Sequence, residues 1–456
     1  MLEISFHRGT LELRNLPEHA TEWAEAEGVL WDERARCHRA RAAAYAGIVR
    51  ALVSNEVPFR DLAKRYEPLD LPTHHLKEPR PYQTEALEAW LRAKGRGVVV
   101  LPTGSGKTQV ALMAIAAKKR PTLVVAPTLE LVRQWHALLS STFETEVGLL
   151  GGGSHDVRPL TVTTYDSAHL HVDRLGSTFG MIVFDECHHL PSESYAASAD
   201  GSLAPFRLGL SATPERADGS EARYLTLIGP QVYRKDITEL AGSYLADYDT
   251  TKIMVELDPE ERASYTEARQ TYLAFVGKHG IQMGSPRGFQ EFLSRSSRTT
   301  EGREAMRAYR RQREISFAPR SKIALLGKLL DQHRDRRTII FTTDNRTAYG
   351  IARLFLLPII THQTKLAERI DILARFRGGD YGAIVTARVL NEGVDVPEAD
   401  VAVIVSGSGS VREHVQRLGR VLRKTPGKHA VLYELVTAKT GEESTSLRRR
   451  EHDAYR

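Results

Sequence analysis

Residues 98–108 read VVVLPTGSGKT. A run of β-branched residues meets a loop with glycines at 104 and 106, and Gln109–Lys118 follows with helical character. A strand, a glycine-rich turn and a helix start form the context that a phosphate-binding loop requires. Across Thr103, Gly104, Ser105 and Gly106, the glycines let backbone N–H groups turn inward around phosphate oxygens. The helix N-terminus adds a favourable dipole. Lys107 is then placed to reach the β- and γ-phosphates of a nucleotide, and the Thr108 hydroxyl to bind Mg2+. The first glycine of the general pattern is replaced here by Leu101.

The same rhythm continues outward from this loop. Between about residues 76 and 235, apolar β runs (VVVL, TLVVAP, LTVTTY, MIVF, LGLSAT) alternate with helical segments, which predicts an α/β domain with a parallel, doubly wound sheet. From 255 to 315 the strands vanish. Asp258, Pro259 and Glu261 there spell a helix start with an N-cap, a first-turn proline and a capping carboxylate, so a helical insertion is expected. TIIFTT, PIITH, GAIVTA, VAVIVS and AVLYEL then resume the alternation, which predicts a second sheet of the same type over 236–254 and 316–456. Ahead of all this, Ile4, Phe6, Leu11 and Leu13 alternate around an Arg8-Gly9 turn and predict a hairpin. A helix is expected over 39–54, and a linker punctuated by Pro58, Pro68, Pro72, Pro79 and Pro81 brings the N-terminal unit to its end near residue 75.

Apolar residues make up 41% of the 456 and charged residues 26%, values of a chain that folds around real cores in two or three domains. The longest apolar run, Val110 to Ala117, is far short of a membrane span, and the N-terminus carries no signal-peptide core, so a cytoplasmic protein without a membrane partner is expected. Cys37 and Cys187 are the only cysteines, which excludes zinc or iron–sulfur sites built from four thiolates and fits a reducing compartment. Residues 286–322 hold ten Lys or Arg against four Glu, a surplus equal to the whole chain's net charge of +6. So local an excess suggests a face for an anionic partner, although a solvated basic helix produces the same count.

MIVFDECHHLP, residues 181–191, poses a choice between a metal centre and part of a motor. Consecutive Cys187, His188 and His189 cannot all point at one ion, which argues against zinc. Asp185 and Glu186 instead end an apolar strand of the same expected sheet, where ligand sites gather. Asp185 is placed to hold Mg2+, and Glu186 to orient or deprotonate the water that attacks the γ-phosphate.

The ordered series RPYQ, LPTGSGKT, TYDSA, DECHHLP, PFRLGLSAT, VTARVLNEGVDVP and QRLGRVLR resembles superfamily 2 helicases, and among them the XPB family of DNA repair helicases, over about residues 80–437. PFRLGLSAT, VSGSGS and AVLYELV resemble its compact prokaryotic members. The resemblance implies two RecA-like domains, a small N-terminal α+β domain of damage-recognition type over 1–75, a helical thumb over 255–315, and ATP-dependent 3′-to-5′ DNA unwinding or translocation in repair. It implies that Gln83, beside Arg80 and Tyr82, reads adenine, that Ser211 and Thr213 couple hydrolysis to movement, and that Gly393 and Asp395 contact nucleotide. Arg420 and Arg423 match its arginine fingers. Arg307, Arg310 and Arg311 fall on the segment that the family places beside DNA, and an endonuclease companion is expected. Where relatives carry Arg-Glu-Asp after SAT, this chain reads Arg216-Ala217-Asp218, leaving Arg216 and Asp218 on the DNA side without the middle carboxylate. Two alternatives stay open: another superfamily 2 motor acting on RNA or in restriction, and an ATP-regulated DNA clamp with little unwinding.

Overall fold

The computed structural model describes residues 1–456 except 216–218, 241–243, 245–246, 286, 388–398, 408–428 and 450–456. Arg216, Ala217, Asp218, Gly393, Asp395, Arg420 and Arg423 lie outside the described residues. The chain forms two compact units, the first spanning Met1–Glu239 and the second beginning at Leu240.

The first unit opens with a five-stranded sheet of order β3-β4-β2-β1-β5, formed by β1 (Leu2–His7), β2 (Thr10–Arg14), β3 (Leu30–Asp32), β4 (Cys37–Arg41) and β5 (Phe59–Asp61). Arg8 and Gly9 both take positive φ, 44° and 80°, the geometry that lets a two-residue turn follow the strand twist. The hairpin that follows pairs Ile4 with Leu13 and Phe6 with Leu11. Leu2, Ile4, Leu11 and Leu13 bury against Ile48 and Leu52 of the helix Tyr45–Ser54. That helix is shorter than the sequence suggests. Residues 39–41 belong to β4, where Arg39, Ala40 and Arg41 pair with Glu12, Leu11 and Thr10 of β2.

The second sheet has eight strands in the order β13-β6-β12-β11-β7-β10-β8-β9. They are β6 (Arg96–Val100), β7 (Thr122–Ala126), β8 (Val147–Gly151), β9 (Ser154–His155), β10 (Leu160–Thr164), β11 (Met181–Asp185), β12 (Phe206–Ser211) and β13 (Gln231–Arg234). All pair in parallel except β8 with β9. Strands β7, β10 and β11 are buried at every residue, as helices on both faces of a parallel sheet require. The registers Val100 to Ser211 and Leu210 to Asp185 bring the carboxyl ends of β6, β12 and β11 level, so the loops after them share one edge.

The second unit holds a wholly parallel sheet of order β14-β19-β18-β15-β17-β16: β14 (Asp247–Val255), β15 (Thr338–Thr342), β16 (Ile359–Ile360), β17 (Ala383–Ala387), β18 (Val401–Ile404) and β19 (His429–Thr437). Between β14 and β15 come the helices Pro259–Lys278, Gly288–Ser296 and Thr300–Phe317, packed on their own core of Tyr272, Phe275, Ile281, Phe292 and Ala305. The first of these starts at the expected capping box, with Asp258 accepting from Glu261 N at 2.8 Å and Glu261 returning to Asp258 N at 3.3 Å. Lys322 departs from its sequence reading as part of the basic surplus. It is fully buried, 2.8 Å from the equally buried Glu442, and donates to the Val405 carbonyl at 2.9 Å.

Candidate functional site

The loop after β6 is set by its own backbone. Gly104 and Gly106 sit at φ 84° and 87°, a region that only glycine occupies without strain, and Gly106 caps the helix Lys107–Lys118. Leu101 N donates to the Ser211 carbonyl at 3.1 Å, tying the loop to the end of β12, and Ser105 Oγ donates to the Pro102 carbonyl at 2.6 Å. The first N–H groups of a helix have no partner within it, so this N-terminus offers donors to an anion. Thr103 Oγ1 is buried with no hydrogen-bond partner among the described residues, a second sign that the cradle fits a ligand rather than closing on itself. Thr108 lies half-buried on the first helical turn.

Gln83 sits differently from a free base reader. Its Oε1 accepts from Arg80 N at 2.9 Å, and its Nε2 donates to the carbonyls of Ser105 and Gly106 at 3.1 and 3.2 Å. Tyr82 OH also donates to the Ser105 carbonyl, and Arg80 Nη1 donates to Tyr82 OH at 3.1 Å. The amide is therefore committed to its own helix cap and to the phosphate loop. A Cβ at residue 106 would stand 2.6 Å from Gln83 Nε2, so this contact needs glycine at 106.

Lys107 Nζ donates to the Leu101 carbonyl at 3.3 Å and lies 3.8 Å from Glu186 Oε1. Asp185 ends β11 with both oxygens engaged: Oδ1 accepts from Glu186 N at 3.0 Å, and Oδ2 from Trp135 Nε1 at 2.8 Å. Its carbonyl accepts from Tyr165 OH at 2.9 Å. Burial, and then the neighbouring Glu186 carboxylate, raise the Asp185 carboxyl above the usual carboxylate range. Glu186 takes a left-handed backbone, φ 47° and ψ 54°, a conformation that non-glycine residues adopt at a cost and that concentrates at functional sites. That turn swings its carboxylate back over the loop toward Lys107.

His188 Nδ1 lies 3.4 Å from Glu186 Oε2 and 3.3 Å from Ser211 Oγ, linking the end of β11 to that of β12. Ser211 Oγ accepts from Thr213 N at 3.1 Å, so Ser211 and Thr213 of the SAT stretch join the same buried chain. Cys187 faces the core of the sheet, where burial pushes its thiol well up. Among the described residues, Cys187, His188 and His189 are not a group of donors that could share one ion. Trp135 and Tyr165 were not singled out as site residues by sequence; only the TYDSA motif contained a signal, for Tyr165.

On the helix Thr300–Phe317, Arg303, Arg307, Arg310 and Arg311 are exposed at spacings that place them along one stripe. Arg307 pairs with Glu304 at 3.9 Å. No helix among the described residues is long and apolar enough to cross a membrane.

Three families match along the chain: the Xeroderma pigmentosum group B helicase damage recognition domain over 4–63, the type III restriction enzyme res subunit over 76–216, and the helicase conserved C-terminal domain over 321–425. The DNA 3'-5' translocase XPB2 of Sulfurisphaera tokodaii is 40% identical over 428 residues, covering 94% of this chain and 97% of the relative. The DNA 3'-5' helicase XPB of Mycobacterium tuberculosis is 32% identical over 78% of this chain and 60% of its own length. The crystal structure of the Pyrococcus furiosus Hef helicase domain shares the fold at a TM-score of 0.54 and 19% identity, covering 82% of this chain and 98% of that one. With one wholly and one largely parallel sheet, a loop built for nucleotide phosphates and a full-length relative at this identity, the chain belongs to the XPB helicase family.

Proposed function

We propose that this protein is an ATP-dependent 3′-to-5′ DNA translocase or helicase working in DNA repair. The observation that carries the reading is the meeting of Lys107 and Glu186, 3.8 Å apart, across the end of the strand that carries Ser211. Lys107 and the loop N–H groups would hold the β- and γ-phosphates of ATP. Glu186 would orient the attacking water and take its proton. Mg2+, held through Thr108 and Asp185, would supply charge neutralisation at the phosphates. His188 would pass the state of Glu186 to Ser211 and Thr213. By the resemblance of QRLGRVLR and VTARVLNEGVDVP, Arg420 and Arg423 would meet the charge that builds on the transferring phosphoryl group, and Gly393 and Asp395 would contact the nucleotide.

DNA as the partner is supported by the activities for which the relatives are named and by the exposed arginine stripe, which suits phosphate contacts without sequence preference. The damage-recognition match over 4–63 supports repair, and an endonuclease companion would complete such a role. The deciding experiment is ATPase activity without nucleic acid, with single- and double-stranded DNA, and with RNA. Stimulation by DNA supports the reading. Stimulation by RNA alone would make it an RNA motor, and ATP binding without turnover would make it a clamp.

A further inference from the structure

The segment that leads into the first parallel sheet crosses the surface as a proline-rich strap. Leu69 N donates to the Lys119 carbonyl at 2.9 Å, Lys119 Nζ reaches Asp70 Oδ1 at 2.8 Å, and Gln109 Nε2 donates to the Lys77 carbonyl at 2.8 Å. Between these ties the chain makes a turn, with Leu76 N bonded to the Thr73 carbonyl at 3.1 Å. The turn does what an extended chain cannot: it puts two consecutive histidines on one side, their rings 4.2 Å apart. Both aim at one carboxylate. His74 Nε2 is 3.1 Å from Glu144 Oε2, and His75 Nε2 is 2.8 Å from Glu144 Oε1.

Glu144 follows directly on the helix Leu129–Phe143 in a left-handed conformation, φ 45° and ψ 42°. Glycine is usual at such a helix end, so the glutamate stands there against backbone preference. We propose that His74, His75 and Glu144 form a Zn2+ site that fastens the strap to the end of this helix. The three donor atoms lie within 4.8 Å of one another, and Zn2+ with nitrogen and oxygen ligands at about 2.0–2.2 Å needs donors about 3.3 Å apart, a small side-chain adjustment. Two imidazoles and a carboxylate form a neutral-nitrogen and hard-oxygen set that suits zinc, with water as the fourth ligand. All three residues are exposed, so the ion can enter and leave, and binding in the micromolar range is expected rather than that of a closed structural site. The site uses no cysteine, and His75 and Glu144 are 69 residues apart, which is why composition and local spacing give no sign of it. Without a metal, an exposed His–Glu contact adds little, so the strap's hold at this point should depend on the ion.

The test uses the full chain, freed of any affinity tag and without nucleotide, so that the phosphate loop does not take up divalent ions. Co2+ titration should give one saturable set of intense visible bands of tetrahedral type, displaced by Zn2+. Zn2+ should slow tryptic cleavage after Lys77 several-fold. The pair His74→Ala/His75→Ala, and separately Glu144→Gln, should weaken binding at least tenfold and abolish the protection. Absence of saturable binding, purely octahedral Co2+ spectra, or binding undiminished in the histidine variant would overturn the proposal. A cleavage rate after Lys77 that saturating Zn2+ leaves unchanged would overturn it as well. The wild-type titration decides the matter even if a variant fails to fold.

Discussion

Trp135 Nε1 donates to Asp185 Oδ2 at 2.8 Å, so an indole from the helix Leu129–Phe143 orients the carboxylate that ends β11. Trp135→Phe keeps an aromatic side chain and removes the donor. A hydrogen bond to a charged group contributes about 1.5–3 kcal/mol, which corresponds to a loss of about ten- to a hundredfold in kcat/KM for ATP. The Mg2+ concentration for half-maximal activity should rise in parallel. A Mg2+ titration of ATPase activity at fixed ATP checks both, and an unchanged Mg2+ midpoint would reduce Trp135 to a packing residue.

Lys107→Ala should abolish nucleotide binding, whereas Glu186→Gln should retain binding and stop turnover, because only the second leaves the phosphate cradle whole. Equilibrium binding of a fluorescent nucleotide beside steady-state ATPase separates the two. Ordinary turnover in Glu186→Gln would remove that residue from the chemistry.

Arg420→Ala and Arg423→Ala should lower kcat more than nucleotide affinity, since interactions that strengthen only as the transition state forms act on kcat. Either variant that weakens binding alone would lose its finger assignment.

Neutralising Arg307, Arg310 and Arg311 together should weaken DNA binding at every sequence tested. Each lost phosphate contact reduces the slope of log affinity against log salt by about 0.9 for duplex or about 0.7 for single strands. Binding isotherms at several salt concentrations read the slope, and one that stays constant would leave these arginines as solvated surface.

Ala217→Glu supplies the carboxylate that the resemblance to the XPB family leads one to expect between Arg216 and Asp218. Base pairs opened per ATP should rise while DNA-stimulated hydrolysis stays constant. Equal opening by both versions would dismiss a wedge at this position, and a fall in hydrolysis would attach the segment to the ATP site instead.

The strands were legible because parallel strands with both faces covered read as unbroken apolar runs, as β7, β10 and β11 do. The phosphate loop was legible because its chemistry is local: two glycines, a lysine and a threonine in one turn. Trp135 was not, because it falls among Val132, Leu139 and Phe143 on the buried face of its helix, where an indole looks like packing and its N–H is invisible to periodicity. Gln83 could be assigned to a site but not to its partners, since the same amide satisfies a helix cap and the loop carbonyls. Lys322 counts as surface charge in any composition, and only the fold reveals Glu442 beside it. The start of the helix near residue 39 was misplaced because alanine-rich sequence suits a helix, while pairing with β2 holds residues 39–41 as a strand.

The pairing of Lys322 with Glu442 sets a rule for shortening the protein. Glu442 stands at the start of the helix Gly441–Arg449, after the last strand, and a boundary drawn by eye at the end of β19 would discard it. Lys322 would then lose the carboxylate that stands 2.8 Å from its ammonium, and removing one partner of a buried pair costs about 3–5 kcal/mol. A chain ending at Ala438 should therefore express poorly or aggregate, although every strand of the sheet is present. Lys322→Met in that shortened chain should recover solubility, which makes the pair a marker for where this half of the protein can be cut.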